Sequence, residues 1–329
     1  MTEHPLPIER GVMHPSPILD TYWRFAAERQ AIYFRRFVTP EGPWTSDPIL
    51  SAYRFTNAYR ATDRVSQYLI REVQYRSDRP QTPGELFFRI LLFKIFNRIE
   101  TWEAIEQKFG PLVWGAIELD NIDTLLDSLL DRGQRIYSAA YIMPTPRLGK
   151  LRKHSNHLAL IKAMIDDRLP ERIVQAPSLR SIYEMLSGYP GVGPFLAFQY
   201  TIDLNYSDML TFDEGDFVVP GPGAVDGIAK CFENIGKHSL EEVIYAVADK
   251  QESAFKILGL NFQSLFGRRL QPVDCQNLFC EVSKYTRVAY PEIRGVSGRT
   301  RIKQSFRAST RALAKPLFPR RWEIQNQRL

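Results

Sequence analysis

The sequence predicts a mainly α-helical protein, and three observations support this class. Between turn-rich patches such as 79–84 and 189–194, apolar residues recur at helical rather than strand spacing. Alternating strand patterns are nearly absent. The composition, with 44% hydrophobic and 24% charged residues, is that of an ordinary folded protein. We therefore expect one compact helical core over residues 1–283, followed by a basic C-terminal extension over 284–329.

The first predicted helix covers residues 49–75. Its spacing places Tyr53, Asn57, Arg60 and Arg64 along one face, with apolar residues elsewhere. This face combines an aromatic ring, an amide and two guanidinium groups. Such a combination suits the recognition of a base, although a solvated surface helix has the same composition.

A largely buried central helix is expected over residues 85–107, because the stretch from Leu86 to Phe96 is apolar apart from Arg89 and Lys94. Helical spacing continues through the later segments. The remaining predicted helices are 121–131, 156–166, 177–187, 194–204, 224–234 and 239–258.

The sequence excludes several classes of protein. No apolar stretch approaches the roughly 20 residues that a membrane-spanning helix needs, and the N-terminus has no apolar core of the kind found in secretory leaders. The three cysteines, Cys231, Cys275 and Cys280, do not form a disulfide framework. We expect a cytoplasmic, monomeric protein that does not bind membranes.

The charge is concentrated at the C-terminal end. Residues 284–329 contain twelve basic and two acidic residues, whereas the rest of the chain has 31 basic and 35 acidic ones. This asymmetry indicates a surface that binds a polyanion. The aromatic residues Trp322 and Phe318 lie among the arginines, which favours a segment that packs against another surface. The alternative is a solvated tail. The candidate contacts to a DNA backbone are Lys284, Arg299, Arg301 and Lys303.

A glycine-rich turn separates two predicted helices, 177–187 and 194–204. Its residues Gly191, Val192 and Gly193 precede Pro194, which suits the first position of a helix. The glycines allow a sharp turn, and the amides at the start of the second helix favour an anion. These three residues are the candidate phosphate-binding residues. The alternative is an ordinary helical hairpin.

A cluster of carboxylates follows the second helix of this hairpin, and Asp213 lies twenty residues beyond Gly193. In this spacing the sequence resembles the helix-hairpin-helix DNA glycosylase superfamily. The resemblance implies a glycosylase-like helical fold, a hairpin that holds a DNA phosphate and an aspartate that faces the sugar of a flipped-out nucleotide. Spacing alone leaves open which carboxylate enters the site, or whether the three merely cap the next helix. The candidates are Asp213, Glu214 and Asp216, of which Asp213 and Asp216 are the predicted catalytic residues.

Two departures from that superfamily matter. Its bifunctional members have a lysine two residues after the second hairpin glycine, whereas this chain has Phe195, so lyase chemistry by that route is not expected. Many relatives also hold an iron–sulfur cluster on four closely spaced cysteines, which three scattered cysteines do not provide. We expect no cofactor and no metal.

Four separated segments indicate a narrower resemblance. They are similar to the family of α-glutamyl/putrescinyl-thymine pyrophosphorylases, also described as the helical domain associated with 5-hydroxymethyluracil DNA kinases. The resemblance implies double-stranded DNA carrying hypermodified pyrimidines as the partner. The segments are 43–69, 86–103, 213–232 and 267–291, and the similarity extends over about 20–310.

A base pocket requires rings for stacking and polar groups for the edge of an extruded pyrimidine. Residues of this kind occur in the predicted helix 49–75, at the end of the apolar stretch and in the segment 274–281. Each has a structural alternative, such as ending a helix or packing in the core. The candidates are Tyr53, Asn57, Arg60, Asn97, Gln276 and Asn277.

These observations lead to one main hypothesis and two alternatives. The main hypothesis is a monofunctional DNA glycosylase that excises a 5-hydroxymethyl-derived pyrimidine to leave an abasic site, in defence against phages with modified DNA. The first alternative is a transferase that replaces pyrophosphate on 5-hydroxymethyluracil in DNA with an amine, and the second is a non-catalytic reader of modified DNA. Since the sequence contains no Walker-type phosphate loop, kinase activity is not expected.

Overall fold

The structure, a computed structural model, describes residues 11–140, 142–307 and 313–324. Its elements confirm the mainly helical class: within the described residues the named strands form one short antiparallel pair. In chain order, the elements are β1 (His14–Pro15), α1 (Ile18–Val38), α2 (Pro48–Ala52), a 3₁₀ turn (Arg60–Thr62), α3 (Arg64–Tyr68), a π-helix (Leu69–Gln74), α4 (Pro83–Phe96), α5 (Ile99–Phe109), α6 (Leu119–Asp131), α7 (Lys153–Asp166), α8 (Leu169–Val174), α9 (Leu179–Ser187), α10 (Pro194–Asn205), α11 (Pro222–Cys231), β2 (Phe232–Asn234), α12 (Leu240–Ile257), α13 (Pro272–Ala289) and a 3₁₀ turn (Arg320–Trp322).

The chain divides into two compact units, and each draws on separated parts of the sequence. Among the described residues, the first unit consists of 11–60, 218–307 and 313–314, and the second of 61–140, 142–217 and 315–324. No helix in the described part of either unit is both long and apolar enough to cross a membrane.

In the second unit, α4 is the central element. Every residue from Leu86 to Phe96 is buried, and α7, α8 and α10 pack against this helix. The prediction of a buried central helix is confirmed for residues 86–96. Its predicted extension to residue 107 is wrong, because the helix ends where Asn97 adopts a left-handed conformation with φ 48° and a new helix, α5, begins.

The prediction of one continuous helix over 49–75 is also wrong. Helix α2 begins where Asp47 caps it and ends at Ala52, because the following residues pair with a distant strand-like segment. Tyr53 forms an antiparallel bridge with Ser305, and the amide of Phe306 donates to the carbonyl of Ala52 at 2.9 Å. Tyr53, Asn57, Arg60 and Arg64 therefore do not share one helical face. The other six predicted helices are confirmed to within three residues at each end.

In the first unit, α11 lies in close contact with α13, and small residues make this approach possible. A Cβ atom built on Gly227 would lie 2.1 Å from the carbonyl oxygen of Phe279, and one on Gly223 would lie 2.2 Å from Sγ of Cys280. Glycine at these positions lets the two helix backbones approach more closely than any side chain would permit.

Replacing Gly227 with alanine is expected to destabilise the protein by about 2 kcal/mol, because overpacking against a backbone carbonyl outweighs the gain in helix propensity. Urea unfolding monitored by circular dichroism measures this change. Gly84→Ala is the matched control, since a Cβ on this helical glycine meets nothing within 4 Å. If both variants have the same stability as the wild type, the close contact between α11 and α13 is refuted.

Candidate functional site

The hairpin predicted from the glycine-rich turn is formed by α9 and α10 in the second unit. Ser178 begins α9 with a capping box, and Pro194 is the first residue of α10. Gly191 has φ 77°, a backbone conformation that favours glycine, and a Cβ there would lie 3.2 Å from Pro146. Gly193 is the N-cap of α10 and is exposed, and no side chain of the described residues caps this end. The turn thus presents a positively polarised helix end to solvent.

The acidic loop, residues 211–217, packs back onto this hairpin. Its last residue, Phe217, contacts the rings of Tyr183 on α9 and Phe198 on α10, with centroid separations of 5.3 and 5.8 Å. At the other end, Nδ2 of the buried Asn205 donates to the carbonyl of Phe212 at 3.1 Å. The loop is therefore held at both ends beside the two hairpin helices.

The three carboxylates of the acidic loop, which sequence spacing could not distinguish, differ in their exposure to solvent. Asp213 and Asp216 are exposed, and Oδ1 of Asp213 accepts a hydrogen bond from the amide of Gly215 at 2.8 Å, which shapes the turn. Glu214 is buried, with an exposure of 3%. The helix that follows, α11, has Gly221 as its N-cap and no capping side chain among the described residues, so the cluster does not cap it. The catalytic role of the two exposed aspartates stays a prediction.

The partners of Glu214 come from the C-terminal segment, residues 315–324, which belongs to the second unit. Oε1 of Glu214 accepts from Nη2 of Arg321 at 2.8 Å and from Nε1 of Trp322 at 2.9 Å. Trp322 in turn stacks on Phe318, and Arg320 forms an ion pair with Asp208 at 3.1 Å. Arg320 and Arg321 are thus engaged by carboxylates of the protein itself.

A buried ion pair lies at the end of α10, next to the residue that holds the acidic loop. Nζ of Lys94 is 3.1 Å from Oδ2 of Asp203, and it donates to Oδ1 of Asn97 at 3.0 Å. The side chains of Lys94 and Asp203 are 3% and 0% exposed. Asn97, a predicted base contact, therefore has a structural role at the end of α4. Sequence reasoning noted Lys94 only as an interruption of an apolar stretch and missed the pair.

The other predicted pocket residues lie in the first unit. Oδ1 of Asn57 accepts from Nη2 of Arg29 at 2.8 Å, and the amide of the buried Arg60 donates to Oδ1 of Asp274 at 2.8 Å. Gln276 is buried on α13, and its Oε1 has no hydrogen-bond partner among the described residues. Asn277 beside it is half-buried. A contact of any of these residues with a base stays a prediction.

A basic loop, residues 291–307, leads away from α13 in the first unit. Its anchor is Asp226 on α11, whose Oδ1 accepts from the amide of Ser297 at 2.7 Å, while Ser283 donates to its other oxygen. Burial alone raises the pKa of Asp226, but the hydrogen bonds from Ser283 and Ser297 outweigh it and hold the pKa below its ordinary value. The loop therefore depends on an ionised, buried carboxylate that sequence reasoning did not select. The exposed basic residues of the loop are Arg294, Arg299, Arg301, Lys303 and Arg307.

Lys284, the fourth predicted contact to the DNA backbone, lies on α13 instead of in an extension. Its Nζ is 2.6 Å from Oε2 of Glu281 and 4.5 Å from the ring centroid of Phe55. Because its charge is already paired within the protein, it is a weaker candidate for a phosphate contact than the loop residues.

The fold and the candidate site define a class of protein. It is mainly helical and has an exposed hairpin turn, an acidic loop and a basic loop. The family described as "5-hmdU DNA kinase, helical domain" matches residues 16–295, and the chain belongs to this family. The 5-hmdU DNA kinase of Bacillus phage SP10 is 27% identical over 284 residues. This alignment covers 81% of the chain but 44% of the phage protein, so the chain spans less than half the length of that relative. No solved structure matches.

These comparisons confirm the narrower family resemblance and correct the predicted activity. The prediction of a DNA glycosylase is wrong, and so is the hydrolase class. The predicted role in defence against phages assumed excision of the base and loses that basis. The family and the phage relative are named for a kinase, which is a transferase. The physical reason for the error is that a glycine turn with a carboxylate twenty residues on does not determine which bond an enzyme breaks.

Proposed function

We propose that the chain engages double-stranded DNA containing 5-hydroxymethyl-2′-deoxyuridine (5-hmdU) and takes part in group transfer at the 5-hydroxymethyl group of this base. The observation that carries the proposal is the family match over residues 16–295. It is supported by the name of the phage relative, a 5-hmdU DNA kinase. The proposal replaces excision of the base by a transfer reaction that leaves the glycosidic bond intact.

We also propose that the α9–α10 hairpin is a helix-hairpin-helix element within a glycosylase-like helical fold. The left-handed conformation of Gly191 and the exposed N-cap at Gly193 support this assignment. A DNA phosphate would accept hydrogen bonds from amides of the turn, and the helix dipole of α10 would favour its negative charge. The hairpin would position the DNA backbone without reading the sequence.

The exposed carboxylates of the acidic loop suit a proton transfer in such a reaction. In the transfer, the hydroxymethyl oxygen attacks the γ-phosphorus of ATP and ADP leaves. The attack is effective only when the proton of the hydroxyl is accepted, and an aspartate can accept it. Asp213 and Asp216 both face solvent beside the hairpin, whereas Glu214 is engaged by Arg321 and Trp322. Either aspartate would serve as the general base for the 5-hydroxymethyl group of an extruded nucleotide.

A second candidate function is the displacement of pyrophosphate from a pyrophosphorylated 5-hydroxymethyl group by an amine. A C–N bond forms at the methylene carbon, the C–O bond to pyrophosphate breaks, and pyrophosphate leaves. The sequence contains no Walker-type phosphate loop. This observation favours the amine reaction, because that reaction does not require the chain to bind a nucleoside triphosphate through such a loop. In this reaction, the same aspartates would accept the proton of the attacking amine. The two functions differ in the substrate, which is a free hydroxyl in one and an activated hydroxymethyl group in the other.

The test compares matched duplexes that contain thymine, 5-hydroxymethyluracil or 5-hydroxymethylcytosine at one position. We expect tighter binding of the chain to the 5-hydroxymethyluracil duplex, measured by fluorescence anisotropy. Mass spectrometry of the DNA after incubation with ATP, or with an amine after chemical pyrophosphorylation, identifies the transfer product. Equal affinity for all duplexes together with no product in either reaction would refute the proposal.

Replacing Arg299, Arg301 and Lys303 together with alanine is expected to weaken binding to all three duplexes by a similar factor. Each lost phosphate contact lowers the salt dependence of log K by about 0.9, so the slope should fall by about 2 to 3. Anisotropy titrations at several salt concentrations measure both effects. Lys250→Ala/Lys256→Ala, which removes two exposed cations from α12, should leave the slope unchanged. An unchanged slope in the triple variant would exclude the basic loop as a DNA contact.

A further inference from the structure

Two helices of the second unit bring together one histidine and two carboxylates, none of which belongs to the hairpin or the acidic loop. Asp123 and Asp127 lie one turn apart on α6, and His154 lies in the first turn of α7. Nε2 of His154 is 3.1 Å from Oδ1 of Asp123 and 3.2 Å from Oδ1 of Asp127. The three atoms all lie within 4.8 Å of one another, which is the spacing of ligands around one ion.

The histidine is buried and its Nε2 is aimed into this cluster. The side chain of His154 is 1% exposed. Although two carboxylate oxygens lie within 3.2 Å, Nε2 makes no hydrogen bond of acceptable geometry to any described residue. A metal ion on the lone pair of Nε2 explains this arrangement, because ligands about 2.1 Å from a metal at angles near 90–110° are roughly 3.0–3.4 Å apart.

The neighbouring histidine on α7 is committed to other contacts. Nδ1 of His157 is 2.7 Å from the hydroxyl of Tyr137, and its Nε2 is 2.9 Å from the carbonyl of Pro144. Burial lowers the pKa of His157 to about 4, so its imidazole is neutral at physiological pH. His154 is therefore the histidine of this helix that is positioned to bind an ion.

We propose that Asp123, Asp127 and His154 form a binding site for a divalent transition-metal ion of the zinc or manganese class. One imidazole and two carboxylates suit these ions. The side chains of the aspartates are 28% and 35% exposed, so an ion enters from solvent and retains water in its remaining positions. The ion would link α6 to α7 by bonds from both helices.

Two further residues surround the site. Oγ of Ser155 donates to Oδ1 of Asp123 at 2.8 Å and orients this carboxylate, as outer-shell partners of metal ligands do. Nε of Arg152 lies 3.1 Å from Oδ1 of Asp127, and its side chain is 53% exposed. Metal binding would displace this guanidinium into solvent.

The experiment uses chelator-treated full-length chain titrated with Zn²⁺ by calorimetry and with Co²⁺ by visible absorption. We expect one ion per chain, a Co²⁺ spectrum of nitrogen and oxygen coordination without thiolate bands, and affinity at least tenfold weaker in Asp123→Asn and Asp127→Asn. Asp131→Asn, an exposed aspartate on the same helix, is the matched control and should bind as the wild type does. Equal affinity in all variants, thiolate bands or no saturable binding would overturn the proposal.

A second measurement needs no variant and so does not depend on the folding of altered chains. Bound Mn²⁺ is expected to broaden the imidazole resonances of His154 in the wild-type chain at substoichiometric concentration. Excess Zn²⁺ should displace the Mn²⁺ and restore sharp resonances. Persistence of sharp His154 resonances at one equivalent of Mn²⁺, or broadening that excess Zn²⁺ does not reverse, would overturn the proposal. The result is independent of any activity on DNA, so it is distinguishable from the test of the proposed function.

Discussion

Replacing Lys94 with methionine is expected to lower the free energy of unfolding by about 3–5 kcal/mol, the usual cost of leaving one charge of a buried pair without its partner. Nζ of Lys94 lies 3.1 Å from Oδ2 of Asp203, and both side chains are almost completely buried. Because the methionine side chain fills a similar volume, the loss of stability comes mainly from the removed charge and little from a cavity. Urea unfolding measures it.

The matched control for this prediction is Lys162→Met. Lys162 also pairs with an aspartate, Asp166, but the two side chains are 58% and 55% exposed. Its loss should cost less than about 1 kcal/mol, because water screens an exposed pair. Adding Asp203→Asn to Lys94→Met should recover part of the stability, since the buried carboxylate that has lost the ammonium group of Lys94 is then replaced by a neutral amide. Equal destabilisation by the two lysine variants would contradict the assignment of a buried pair.

Replacing both Asp213 and Asp216 with asparagine is expected to reduce the rate of transfer to 5-hmdU DNA by at least about 100-fold, the smaller end of what general base catalysis contributes. Affinity for the DNA should change little, because neither residue supplies a positive charge. The rate is measured by mass spectrometry of the modified nucleoside under conditions in which the wild-type chain turns over. The single variants then show which aspartate acts.

Two variants serve as controls for that experiment. Glu184→Gln removes an exposed carboxylate from α9, a helix of the same hairpin, and should retain the wild-type rate. Glu214→Gln should lower stability, because Glu214 is buried and accepts from Arg321 and Trp322. If the double aspartate variant transfers at the wild-type rate, the acidic loop is not the source of the general base.

Much of the fold could be predicted from local patterns. The helices that became α9 and α10 follow from apolar periodicity and from a proline that starts the second helix, and both are confirmed. The failures occurred where distant residues intervene. The predicted helix over 49–75 is interrupted because Ser305 pairs with Tyr53, a contact across some 250 residues that no local window contains.

The candidate site also combines features that local sequence patterns predict with features that depend on distant residues. By itself the sequence determined the helical class and the presence of a glycine turn with a carboxylate cluster twenty residues on, because these depend on composition and short spacings. The family was indicated by the resemblance of four separated segments, and the family match over residues 16–295 confirms it. Only the tertiary structure decided which carboxylates are exposed. Glu214 is buried by Arg321 and Trp322, more than one hundred residues away, and His154 meets Asp123 and Asp127 through the packing of two helices. Burial and charge pairing depend on which surfaces meet in space, and that is a property of the folded chain as a whole.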